Sequence, residues 1–195
     1  MTVRPLAIPE EEAALRVAAR AFFDDPLFVH VHPDPATRVE RFVTENAAYQ
    51  RWTYRPLGRS ETVDGLRGLA LWLPPGEHGA AWRDLVCLPA LARSVGLRRL
   101  RTVIEDYRAF DAALPSGAYW YLGLLAVDPD AQGEGVGGAL LRHGLRRADR
   151  DGVGCYLETG TEENVAFYEH HGFRVTGRVR LPHGPDHWTM WHDPA

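Results

Sequence analysis

The hydrophobic pattern is sharpest in residues 119–150. Tyr121, Leu122, Leu124, Leu125, Ala126 and Val127 form an apolar run of strand length, and Pro129, which cannot donate to a ladder, closes it. Farther along, Val136, Leu140, Leu141, Leu145 and Ala148 recur at helical spacing, so one apolar face meets a sheet. Between strand and helix stand Gly133, Gly135, Gly137 and Gly138. A turn with so little side-chain bulk leaves backbone N–H groups free at a helix start, where they can hold an anion such as phosphate.

Elsewhere the pattern is weaker but ordered. Residues 3–8 predict a short strand, with Pro5 marking it as an edge. A helix is expected from Pro9, with Glu10, Glu11 and Glu12 at its positive end and Leu15, Ala18, Ala19, Phe22 and Phe23 on its apolar face. It should stop at Asp24, Asp25 and Pro26, because Pro26 restricts the residue before it. Residues 27–33 read as irregular, and a second helix is expected from about Asp34, with Val39, Phe42, Val43 and Ala47 on one side. The segment between, carrying Asp24, Asp25, Phe28, His30 and His32, is expected to form one wall of a substrate cleft. Residues 52–73 favour two strands joined near Asp64 and Gly65. Residues 81–113 predict two helices broken between Pro89 and Gly96. A strand at 153–158 follows the central helix. A short helix at 162–171 comes next, capped by Thr159 with Glu162 or by Thr161, and antiparallel strands at 173–179 and 187–190 end the chain.

Composition narrows the classes. At 195 residues and 45% hydrophobic content, residues 1–195 are expected to fold as a single domain. A net charge of -4 without a long basic block gives no nucleic-acid or membrane-surface signal. Cys87 and Cys155 lie far apart, against a disulfide-stapled domain and a cysteine-built zinc site. The start is acidic where a secretory peptide needs an apolar stretch, and no apolar run reaches the roughly 18 residues of a membrane helix, so a cytoplasmic protein is expected. The histidine pairs His30 and His32, His170 and His171, and His183 and His187 lack a third ligand, so no metal is expected.

Gly133, Gly135 and Gly137 also give the GxGxG of a dinucleotide-binding turn. Most of the chain's mixed helices and strands precede that turn, however, and Glu158, about twenty residues on, is followed by a short helix rather than a regular parallel repeat. No Lys-Ser or Lys-Thr pair follows the glycines, which excludes a Walker loop. Instead, residues 124–141, with Gln132, Gly135 and Gly137 in Q-x-x-G-x-G order, resemble the acetyl-coenzyme A signature of the GNAT superfamily of N-acetyltransferases. Residues 157–173, LETGTEENVAFYEHHGF, resemble its second signature, with Asn164 and Tyr168 on a short helix before Gly172 and Phe173. The likeness runs from the N-terminal helices to VRLPHGPDHWTMW and is nearest to puromycin N-acetyltransferase-like proteins.

This resemblance implies an α/β (mixed α+β) fold, with a mostly antiparallel central sheet flanked by helices and splayed between the strands around Leu124 and Leu157. It implies acetyl-CoA as the cofactor. Leu125, Ala126 and Val127 would pair by backbone with the pantetheine arm. Gln132, Gly133, Glu134, Gly135, Val136, Gly137 and Gly138 would surround the pyrophosphate, and Asn164 and Tyr168 would complete the site. Glu134 departs from the basic residue the family often has there.

In the family, the acetyl group passes directly to an amine in a ternary complex. Tyr168 matches the tyrosine assigned to protonate the leaving thiolate, a role a phenol with an ordinary pKa of about 10 can fill. A backbone N–H near Val127 is expected to face the developing oxyanion. Glu158, at the outgoing end of its strand, is the candidate general base, directly or through water, and a candidate substrate-binding group; Asp25 and Glu105 are the alternatives. Phe28 and Trp72 are the aromatic substrate candidates, with Trp82, Tyr119, Trp120 and Tyr121 also considered. Tyr119 and Trp120 should face opposite sides of their strand. The expected function is acetyl-CoA-dependent acetylation of a primary amine on a small molecule such as an aminonucleoside. Peptide or protein acetylation, and a coenzyme A-binding sensor without turnover, are the other readings. A homodimer through the C-terminal strands is compatible with the sequence.

Overall fold

A computed structural model of the chain describes residues 1–57, 59–78 and 81–195. Among these, the alternating apolar runs form β1 (Val3–Pro5), β2 (Ser60–Val63), β3 (Gly68–Leu73), β4 (Tyr119–Val127), β5 (Gly154–Thr159), β6 (Arg174–Val179) and β7 (His187–His192). They lie in one sheet in the order β1-β2-β3-β4-β5-β7-β6. Neighbours run antiparallel except β4 and β5, which are parallel.

The helical runs form α1 (Glu11–Ala21), α2 (Pro26–Val31), α3 (Arg38–Tyr49), α4 (Arg55–Leu57), α5 (Ala81–Val95), α6 (Leu97–Ala113), α7 (Val136–Asp151) and α8 (Glu162–His170). On one face of the sheet, α7 packs Val136, Leu140, Leu141, Leu145 and Ala148 against Trp72, Trp120, Leu122, Cys155 and Leu157. On the other, Ala14, Leu15, Ala18 and Phe42 from α1 and α3 meet Leu69, Leu71, Leu124 and Ala126. Each such apolar side chain, fully buried, stabilises the fold by about 1.5–3 kcal/mol. A smaller cluster of Val31, Leu91, Val95 and Val103 joins α2, α5 and α6. No helix among the described residues is long and apolar enough to cross a membrane.

The feature that positions the site is a separation in this sheet. β4 and β5 pair only as Tyr119 with Gly154, Trp120 with Cys155 and Tyr121 with Tyr156. Beyond Tyr121 the strands part. At the same level β4 is bulged, since Leu122 faces Trp72 and Leu124 faces Leu71, leaving Gly123 without a partner on β3.

Several expectations change. Residues 27–33, read as irregular, begin with α2: Asp25 caps it by accepting from the Leu27 and Phe28 N–H groups, and Pro26 stands in its first turn. Proline after a capping aspartate starts this helix as well as closing the segment before it. The stretch from residue 52, expected to be extended, is helical instead, because α3 continues through a π-helical turn, Gln50–Tyr54, into α4. Gly58, within that stretch, lies outside the described residues. Pro89 sits inside α5, and the break comes at Gly96, whose φ of 76° suits glycine. The short C-terminal helix is capped by Thr161, whose hydroxyl accepts from the Asn164 N–H.

Gly144, midway along α7, lies directly over the indole of Trp72: a Cβ there would stand 2.0 Å from Cζ2. Glycine inside a helix ordinarily costs about 1 kcal/mol relative to alanine, so Gly144→Ala would stabilise an open position. Here overpacking is expected to dominate, with a net loss of about 1–3 kcal/mol in urea denaturation.

Candidate acyl-transfer site

The parted strands open into a continuous cleft of about 1410 Å³. One end is the glycine turn. Gly133 and Gly135 both have a φ of 80°, which bends the chain into α7. The first i to i−4 bond there runs from the Ala139 N–H to the Gly135 carbonyl, so the N–H groups of Val136, Gly137 and Gly138 have no partner within the helix. Space is also restricted: a Cβ on Gly137 would stand 3.3 Å from Val127 Cγ2 and 3.4 Å from Phe167 Cζ. Gly138 is similarly enclosed by Arg142 and His171, each with a nitrogen 2.9 Å from that Cβ position. Leu125, Ala126, Val127, Gln132, Gly133, Gly135, Val136, Gly137, Gly138, Asn164 and Tyr168 all line the cleft.

Glu134 does not. Its side chain is exposed and ion-paired with Arg67, and its N–H donates to the Ala131 carbonyl at 3.4 Å. The expectation that Glu134 contacts cofactor is therefore corrected: between Gly133 and Gly135, which line the cleft, its side chain points outward to Arg67. The oxyanion donor is expected near Val127. Val127 lies against Gly137 at the glycine-turn end of the cleft, several residues from the point where β4 and β5 part.

Glu158 stands at that point. Strand alternation puts it on the face of Tyr156, and Tyr121 stacks with Tyr156 at a centroid distance of 6.0 Å. Burial pushes the Glu158 carboxyl up to about 7, while the Tyr121 and Tyr156 hydroxyls beside it pull the other way. Among the described residues its Oε1 has no hydrogen-bond partner. A buried carboxyl near neutrality with an unused oxygen can accept a proton from an amine or hold one as a cation.

Asp25 and Phe28 both line the same half of the cleft. One Asp25 oxygen caps α2, and burial raises its carboxyl above the usual range. Phe28 packs on Phe22 and Phe42 at 5.1 and 4.8 Å. Tyr168 projects from α8 between Phe167 and Phe173, 8% exposed, and burial raises its phenol, keeping it protonated.

Two expected substrate residues are elsewhere. Trp72 is fully buried beneath α7 with Arg147 above its ring, because its position on β3 faces the α7 side of the sheet. Glu105 lies on the outer face of α6, paired with Arg101 at 2.8 Å and His183 at 2.8 Å, which hold its carboxyl below its usual range. Tyr119 and Trp120 do face opposite sides: Tyr119 stacks under His78 at 4.0 Å, and Trp120 joins the α7 cluster. Trp82 is exposed on α5.

Tyr54 and His187 line the cleft with no sequence expectation of a site role. The His187 ring is held by Nδ1 at 3.0 Å from the Pro185 carbonyl, and burial lowers its pKa. Tyr54 comes from the π-helical turn, whose aperiodic pattern hides it.

The geometry agrees with comparisons to known proteins. Residues 92–175 match the model of the acetyltransferase (GNAT) domain. An uncharacterised N-acetyltransferase of Schizosaccharomyces pombe is 25% identical over 183 residues, 89% of this chain and 74% of the relative. A crystal structure described as histone acetyltransferase HPA2 and related acetyltransferase from Corynebacterium glutamicum superposes with a TM-score of 0.75 at 25% identity, over 100% of this chain and 96% of that one. A Drosophila melanogaster polyamine N-acetyltransferase has a TM-score of 0.66 at 15% identity, over 98% and 99%, a likeness of fold. Residues 92–175, which hold both ordered motifs on either side of the parted parallel pair, are thus similar to the acetyltransferase (GNAT) domain, and the whole chain shares the fold of solved acetyltransferases.

Proposed function

We propose that this protein transfers an acetyl group from acetyl-CoA to a primary amine of a small molecule in the cytoplasm, with no nucleic-acid or membrane partner. The observation that carries the reading is Glu158: a buried carboxyl with an unpartnered oxygen, in one cleft with a glycine turn whose amides are free. The residues present fit the cofactor. The open edge of β4 offers backbone groups, the Val136, Gly137 and Gly138 amides suit phosphate, and a Cβ on Gly137 would crowd Val127 and Phe167. When bound, acetyl-CoA supplies the activated acyl group. Glu158 then holds the acceptor amine and takes its proton, directly or through water. Tyr168 keeps a proton on its phenol oxygen to give to the departing sulfur.

Residues of α2, α5 and α6 line the acceptor half of the cleft, which favours a compact amine over an extended peptide backbone. Asp84 on α5 and Asp111 on α6, with Asp25 capping α2 and Glu158 on β5, favour a cationic acceptor. The resemblance to puromycin N-acetyltransferase-like proteins makes an aminonucleoside one such compound, and peptide acetylation remains the competing arm of the test. A homodimer through β6 and β7 is a further proposal, read by sedimentation.

Free-thiol release from acetyl-CoA over a panel of small amines, aminonucleosides and short peptides is expected to yield one class of acetylated small molecule by mass spectrometry. Tyr168→Phe is expected to lower kcat about 100-fold, the range of a lost general acid. Acetylation of peptides alone would overturn the small-molecule reading, and no thiol release from any acceptor despite cofactor binding would favour the sensor. The rate at low amine concentration should rise with pH through about 7 as Glu158 loses its proton.

Stability should move the opposite way. With the folded carboxyl near 7 and the unfolded one near 4.5, the unfolded chain releases its proton first, so folding loses stability between those values as pH rises. Glu158→Gln removes this loss. The variant is expected to be more stable than the parent by up to about 3 kcal/mol at pH 8 and equal to it below about pH 4.5, measured by urea denaturation.

A further inference from the structure

The acid and base above leave the reacting carbonyl itself without a named donor, once Val127 is seen to lie at the glycine-turn end of the cleft. We propose that the Tyr54 hydroxyl is that donor, a further catalytic residue that hydrogen-bonds the acyl carbonyl oxygen as negative charge develops on it. The proposal rests on the acetyl-transfer reading.

The placement of the hydroxyl carries it. A Cβ built on Gly123 would come within 2.2 Å of Tyr54 Oη and 3.3 Å of its Cζ, so the phenol occupies the space a side chain at 123 would need. Gly123 is the bulged residue of β4, two residues beyond Tyr121, the last to pair with β5. Tyr54 Oη therefore lies where the open edge of β4 begins, in the cleft that also holds Glu158 and Tyr168. Burial and the nearby Glu158 charge raise its phenol, so it remains an O–H donor.

The turn that carries Tyr54 is fixed at both ends. Gln50 donates to Glu11 Oε1 at 3.2 Å and accepts from the Ser60 hydroxyl at 3.0 Å, while Arg55 pairs with the same Glu11. Turns of the π type inside helices occur frequently at functional sites, and a donor held in place before reaction needs no reorganisation as charge appears. The chemistry balances without a proton leaving Tyr54. The amine nitrogen bonds to the acyl carbon, the carbon–sulfur bond breaks, and the amine and thiolate protons pass through the groups already named.

The test uses acetyl-CoA labelled with 13C at the acetyl carbonyl and bound to the enzyme without amine, read by infrared difference spectroscopy. In the parent protein the labelled carbonyl band is expected to shift to lower frequency than in water. Tyr54→Phe should lose most of that shift, retain cofactor affinity by calorimetry within about twofold, and melt at or above the parent temperature. Its kcat should fall on the order of 100-fold with little change in either KM. Gly123→Ala, which pushes the hydroxyl aside, should mimic it in the parent but cost much less in the Tyr54→Phe background. An identical carbonyl band in parent and Tyr54→Phe would overturn the proposal alone. Absence of acetyl-CoA binding to the parent would overturn it together with the acetyl-transfer reading.

Discussion

Parallel neighbours in a sheet stay together through ladder bonds or through something lying between them, and β4 and β5 have only three residue pairs of the first kind. Each part of the site follows from where that pairing ends. The bulge at Gly123 lets β4 continue beside β3 after β5 has turned away. The glycine turn starts at the far end of the opened edge, and α8 starts at the end of the departing strand. Had the strands remained paired, the free amides of α7 and the carboxyl of Glu158 would border no common space.

Glu158 shows how the site is maintained against its own energetics. A carboxyl on a central strand loses solvation, and Tyr121 and Tyr156 offset only part of that loss. The surrounding packing supports the strain: α7 on one face, α1 and α3 on the other, and a fixed turn across Gln50 and Glu11. A group kept near neutrality in this way is ready to exchange a proton with an amine, which a fully solvated carboxylate does poorly. The cost to the fold and the use proposed in the chemistry have the same origin.

Much of the frame could be read from residues alone, and the reasons are local. Residues 121–127 and 136–148 carry unmixed periodicities, so strand, turn and helix were legible with the glycines between them. Thr161 and Gly172 likewise bounded α8. What escaped had no period to read. Six residues of α2 are too few to show one, and its proline looked like an ending. The π-helical turn shifts the helical repeat and so concealed Tyr54. Trp72 and Glu105 failed for another reason: which side of a strand or helix faces a cleft is settled by what packs against it, and neither α7 over Trp72 nor His183 beside Glu105 is visible in the local sequence.

The three-pair connection between β4 and β5 also has a mechanical consequence. It makes β1 to β4 and β5 to β7 two nearly separate sheets sharing a short seam, bridged on one face by α7. A molecule that fills the gap and engages both edges replaces the missing ladder and ties the sheets into one. The bound form is then braced across both edges, where the empty one is joined by three residue pairs.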